Sequence, residues 1–151
     1  DREARRNMMI ASTIGGMAFI SSNVGAVHAF AETVGAWFDT PHGVANSLFL
    51  PYIMEFNIPA CPERFADIAD AMGIEREESM SDEQYALKAV EYVKALNRKL
   101  NIPTIKEIKG ITEERFEAIA ERSANNVLSN DNARKITKED YLELLKKAYN
   151  E

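Results

Sequence analysis

A single cysteine, only two histidines and no sustained basic stripe narrow what this 151-residue chain can do. Cys61 alone excludes an intramolecular disulfide, and one cysteine with two histidines cannot build a cysteine-rich zinc cluster. A reducing cytoplasm is therefore the expected setting. Cys61 stands between prolines with no base beside it in sequence, so it is not read as a nucleophile. Lysine and arginine number 18 against 24 aspartates and glutamates, a net charge of -6, and nucleic acid is not an expected partner. Long hydrophobic runs are also missing. The stretch that begins at Met8 is interrupted by Ser12, Thr13, Gly15 and Gly16, and the opening Asp1-Arg2-Glu3-Ala4-Arg5-Arg6 is mixed in charge. Neither a signal peptide nor a membrane anchor is expected. The start without methionine reads as a piece cut from a larger protein.

No alternation of apolar and polar residues resembles a strand, and no repeat of fixed period stands out. An apolar content of 46% is enough for one domain with a real core. The expected fold class is all-α, a multi-helix array of about seven helices forming a single domain over residues 1–151. Helices are expected over Arg2 to Ser21, Val24 to Trp37, and Pro41 to Phe56, where Pro51 should kink or end the first part. The pair Gly15-Gly16 in the first of them calls for close packing or a kink. After a break at Ile58 to Pro62, helical periodicity resumes from Glu63 to Met72 and is closed by Gly73. Ser81-Asp82-Glu83-Gln84 starts a helix to Leu100 with the stripe Ala86, Leu87, Val90, Val93, Leu96 and Leu100. Thr112 and Thr137 open the last two, to Leu128 and Tyr149. Residues before about Pro59 are apolar nearly throughout, whereas the helices of 63–150 are amphipathic. The first half must be covered from several sides, by the second half or by another domain.

The two histidines, His28 and His42, bracket the one stretch whose spacing suggests chemistry. A continuous helix would hold them about 21 Å apart, so the chain must turn back if they are to share an ion. Asp39-Thr40-Pro41 supplies the turn, with Thr40 as cap and Pro41 at the first position of a new helix. His42 would then lie in a first helical turn, where the helix dipole disfavours imidazolium and leaves the neutral form that binds metal. His28 and Glu32, four residues apart, share a helix face. Each histidine could equally be a satisfied structural residue, and Glu32 a solvated one.

Gly16-Met17-Ala18-Phe19, Gly25-Ala26-Val27-His28-Ala29-Phe30-Ala31, Gly35, and Pro41-His42-Gly43-Val44-Ala45-Asn46 through Leu50-Pro51 and Glu55-Phe56-Asn57 together resemble the C-terminal helical domain of the iron-dependent (group III) alcohol dehydrogenases. The likeness is specific between residues 16 and 57 and looser beyond. It implies a two-domain enzyme in which an N-terminal α/β domain, absent here, binds NAD or NADP, and the helical domain holds a divalent metal, iron or zinc. By the same resemblance His28 and His42 are two of four metal ligands, the other two lying upstream. The metal would act as a Lewis acid on the oxygen of a small alcohol or aldehyde. Phe19 and Leu128 would line the substrate pocket.

Glu32 stands where many family members carry a second histidine near the nicotinamide, which makes it a candidate for a catalytic role. Near the end of the chain, Asn126, Leu128 and Asn132-Ala133-Arg134 stand where the family often shows Asp, Cys or Thr, and Asn-Pro-Arg. Half of the ligands and the cofactor domain are missing, so the chain alone is expected to be inactive, to bind metal weakly and to associate with itself. A competing expectation is a non-catalytic helical binding or assembly module derived from the family.

Overall fold

The computed structural model describes residues 1–151 and contains seven α-helices and no strand. They are α1 (Arg2–Ser22), α2 (Ala26–Phe38), α3 (His42–Asn57), α4 (Pro62–Ala71), α5 (Asp82–Lys99), α6 (Phe116–Ala124) and α7 (Lys138–Asn150). Short 3-10 turns occupy Ile58–Ala60, Ile105–Glu107, Glu113–Arg115 and Val127–Asp131. The expected all-α array of seven helices is what the chain forms.

Helix starts follow local chemistry. Asp1 accepts from the amides of Glu3 and Ala4, while Ser81 with Gln84 and Thr137 with Asp140 form reciprocal capping boxes. Gly73, at φ 72°, terminates α4 as a residue without Cβ readily does. The expected Thr112 to Leu128 helix is instead broken. Its polar run Asn125-Asn126 competes for the backbone, and the Asn126 side chain accepts from the Leu128 amide at 3.0 Å, starting the separate turn Val127–Asp131.

Pro51 does not end the helix it stands in, since α3 runs from His42 to Asn57 around it. Proline has no N–H for the carbonyl four residues back, which here belongs to Ser47. Asn97 of α5 donates its side-chain N–H to that carbonyl at 2.6 Å, replacing the missing helical bond. The α5 stripe also differs from expectation: Ala86, Val90 and Val93 are buried, but Leu87, Leu96 and Leu100 are exposed. Tyr85 and Ala89 take their places inside.

Most of the core lies among α2, α3, α6 and α7. Phe30 is fully buried, stacked on Phe49 at 4.2 Å between ring centroids and met edge-on by Tyr141 at 4.6 Å. The Tyr141 hydroxyl is satisfied at 2.7 Å from Ser129 Oγ, which itself donates to the Ser123 carbonyl. A smaller cluster joins α4 and α5 to the end of α3 through Met54 and Ile58.

No residue of α1 is buried. Met8, Met9, Ile14, Met17 and Ile20 are exposed, and a Cβ added at Gly15 or Gly16 would meet nothing within 4 Å. The glycine pair is thus neither closely packed nor a break within this chain. No single helix is long and apolar enough to cross a membrane, and α1 and α2 are bent by 111° at the residues between them.

That bend is held from across the chain. The N-cap of α2, Gly25, has no side chain, and Asn132 supplies the cap instead, its Oδ1 accepting from the Ala26 amide at 3.3 Å. The Asn132 carboxamide also exchanges hydrogen bonds with Asn57 at the end of α3 (3.1 and 2.7 Å) and donates to the Arg134 carbonyl. Arg134 in turn covers the Phe56 ring at 4.1 Å and donates to the Phe56 carbonyl. A Cβ on Gly25 would sit 3.0 Å from Asn132 Oδ1 and 3.2 Å from its Cα, one of them backbone. Gly25→Ala is therefore expected to destabilise the fold by about 1–3 kcal/mol, the usual range for overpacking, read as a lower urea midpoint with an unchanged slope.

Candidate metal centre

α2 and α3 pack on one another because the chain turns back over Asp39 to Pro41. Asp39 adopts φ 48°, a left-handed conformation that aspartate tolerates. Gly35 lets the turn close on α2, since a Cβ there would meet the Thr40 carbonyl at 3.2 Å. The detail of the cap differs from expectation. Pro41, not Thr40, is the N-cap of α3, with no side-chain cap bond, and the Thr40 hydroxyl donates to the Phe38 carbonyl at 3.4 Å. Because Pro41 holds extended backbone (ψ 134°), the helix begins one residue later, at His42.

This reversal brings the rings of His28 and His42 to 5.2 Å between centroids, tilted by 54°. His28 is partly buried and His42 is exposed at the start of its helix. Burial pushes the His28 imidazole below its ordinary pKa of 6.5, the nearby His42 adds to the shift, and Glu32 opposes it. The shift favours the neutral form, which has a lone pair for a cation. His28 lines a cavity of about 350 Å³ together with Val24, Val27, Asn46 and Leu50.

The His28 shift fixes the sign of a pH effect. Its folded-state pKa lies below the unfolded value, so between the two the unfolded chain holds more protons and stability rises with pH. Urea midpoints measured between about pH 5 and pH 7 are expected to rise, and His28→Gln should flatten the part of that rise due to this imidazole. An unchanged slope in the variant would count against a neutral His28.

No third histidine, cysteine or carboxylate joins the pair to make a self-contained set. In particular, Glu32 does not serve as its carboxylate ligand. It accepts from Asn126 Nδ2 at 2.7 Å and lines a separate opening of about 550 Å³ with Trp37, Arg122 and Asn125. The Arg122 guanidinium lies over the Trp37 ring at 5.5 Å. Of the two pocket candidates, Phe19 is exposed on α1 and Leu128 packs partly buried against the main core. The end of α1 and the turn that carries Leu128 are joined by Asn23 Nδ2 donating to Asp131 at 3.1 Å. Asn46 was not singled out from sequence as a site residue. Its position one helical turn after His42 is the signal that would have found it, because residues four apart share a face.

Comparison with known proteins decides the family. Residues 1–149 match the model of the Fe-containing alcohol dehydrogenase family, C-terminal part. The chain belongs to this family. It is 38% identical over 149 residues to lactaldehyde reductase of Escherichia coli (strain K12), covering 99% of this chain and 39% of that protein. It is 37% identical over 147 residues to 1,3-propanediol dehydrogenase of Citrobacter freundii, covering 97% and 38%. Among solved structures, an alcohol dehydrogenase from Oenococcus oeni superposes with a TM-score of 0.91 at 40% identity, covering 97% of this chain and 38% of that one. The chain thus spans about 39% of the length of the curated relatives it matches. The family is one of oxidoreductases that carry iron and use alcohols or aldehydes, and the helical fold is that of their C-terminal domain.

The residues present are compatible with part of a metal shell: the two imidazole rings lie 5.2 Å apart between centroids, and burial lowers the pKa of His28, favouring the form with a free lone pair. Two donors leave the rest of a four-coordinate shell to groups outside this chain or to water.

Proposed function

We propose that this chain supplies two metal ligands, His28 and His42, to an NAD(P)-dependent enzyme that interconverts a small alcohol with its aldehyde or ketone. The observation that carries the reading is the 5.2 Å approach of the only two histidines, across a turn built to produce it, in a chain of this family. When bound, iron or zinc would act as a Lewis acid on the substrate oxygen. The residues of this chain hold their share of the ion, shape the approach to it and exclude water. Phe19 and Leu128 are assigned to the substrate pocket, and Glu32, clamped by Asn126, to the margin where substrate and nicotinamide meet.

Alone, the chain is assigned no turnover, because a nucleotide-binding domain and two further ligands must come from elsewhere. Isolated two-imidazole binding should accordingly be weak. The exposed apolar side chains of α1 favour association, either with that domain or between copies of the chain.

A chimera provides the test. With this chain spliced in place of the matching C-terminal part of lactaldehyde reductase, alcohol-dependent nicotinamide reduction is expected, abolished by chelation and restored by Fe²⁺ or Zn²⁺. A folded chimera without activity would favour a non-catalytic assembly module, and activity indifferent to chelation would refute the metal role.

A further inference from the structure

Asn46 stands one turn after His42 on α3 and makes two hydrogen bonds with a single nitrogen. Its Nδ2 lies 2.9 Å from the His42 carbonyl and 3.0 Å from His42 Nε2. The first contact fixes which end of the carboxamide is which, because a carbonyl oxygen only accepts. The amino group has two hydrogens, so the second is directed at the ring. Nε2 must then offer its lone pair, and the proton of the neutral imidazole resides on Nδ1.

The arrangement is also incomplete in an informative way. Asn46 Oδ1 is buried and has no hydrogen-bond partner, the one such side-chain atom in the structure. Buried polar atoms are nearly always paired, and an orphan is costly. The carboxamide thus gains two bonds around His42 while its own oxygen goes unsatisfied. Asn46 also lines the cavity that His28 opens into, so it borders both histidines.

We infer that Asn46 is a positioning residue of the histidine pair: it fixes the His42 tautomer so that Nε2 is the nitrogen offered to a cation, and covers that lone pair while no cation is there. The carboxamide leaves Nε2 when a cation arrives, which also releases Oδ1 from its unpaired state. The purpose of the device rests on the metal reading above, but its existence in the metal-free chain does not.

Long-range proton–nitrogen NMR of the 151-residue chain labelled with ¹⁵N-histidine reads the tautomer directly. Without metal, His42 is expected as the Nδ1–H form, and Asn46→Ala should return it to a mixture in which Nε2–H predominates, with the backbone amide spectrum otherwise kept. Zn²⁺ added to the unaltered chain should move the Nε2 resonance of His42 while Nδ1 keeps its proton. A metal-free Nε2–H form, or a tautomer unaffected by Asn46→Ala, overturns the inference, as does zinc bound through Nδ1. Should Asn46→Ala not fold, the tautomer of the unaltered chain still decides. The Nδ1–H form with no response to millimolar Zn²⁺ would uphold the tautomer-fixing role of Asn46 and overturn the offer of Nε2 to a cation, while the metal reading itself is decided by chelation of the chimera.

Discussion

Alanine at His42 is expected to lower the alcohol-dependent activity of the lactaldehyde reductase chimera by more than about 100-fold, since even groups that only support a ligand are worth about 10–100-fold. The reason is geometric. His28 and His42 are the only imidazoles in the chain, and no third acidic or sulfur group lies with them to take over. His42 is exposed and at the first position of α3, so its removal costs little packing. Fold and function should therefore separate: circular dichroism and melting temperature unchanged within error, metal content and turnover lost together. His28→Ala should lose as much activity, with some loss of stability as well because His28 is partly buried. Full activity in either variant would remove the imidazole pair from the mechanism.

Phe30→Ala is expected to be the most damaging single change to stability, costing about 3–5 kcal/mol. Phe30 is fully buried two residues after His28, stacked on Phe49 of α3 and met by Tyr141 of α7. Truncation deletes both aromatic contacts and leaves a cavity between helices fixed elsewhere by Asn132 and by the α2–α3 turn. Against a typical total of about 5–15 kcal/mol this is a large fraction. The melting temperature should fall by roughly 6–20 °C for a domain of this size. A fall of less than about 3 °C would mean that the surrounding helices collapse into the space.

The outline of the fold was legible because its signals are local. Ser81, Thr137 and Gly73 act through their own backbone neighbours, and each marks a helix end where the structure has one. The return of the chain between His28 and His42 was legible for the same reason. What escaped depends on partners distant in sequence. Pro51 reads as a kink or an end until Asn97, far on in sequence, is seen bonded to the Ser47 carbonyl. The helix expected from Val24 starts instead at Ala26, where Asn132 caps it across the chain. Apolar periodicity in α5 named a stripe, but which part of it is covered depends on where α3 and α4 dock, and Leu87, Leu96 and Leu100 are left exposed. At the site, Glu32 looked available to the histidines along its own helix, yet Asn126 from the far end of the chain holds it.

The bond from Asn97 to the Ser47 carbonyl has a further consequence for the histidines. A helix that accommodates a proline without external help is free to swivel at the gap, since one of the rungs resisting torsion is gone. Here the rung is supplied by α5, which turns the weak point of α3 into its anchorage. The first half of α3, which carries His42, is therefore tied to α5 as well as packed on α2, although α5 does not border the cavity at His28. The histidine-bearing helix is thus pinned on two sides, by aromatic stacking on α2 and by a polar tether to the smaller α4–α5 cluster at the one rung that proline leaves open.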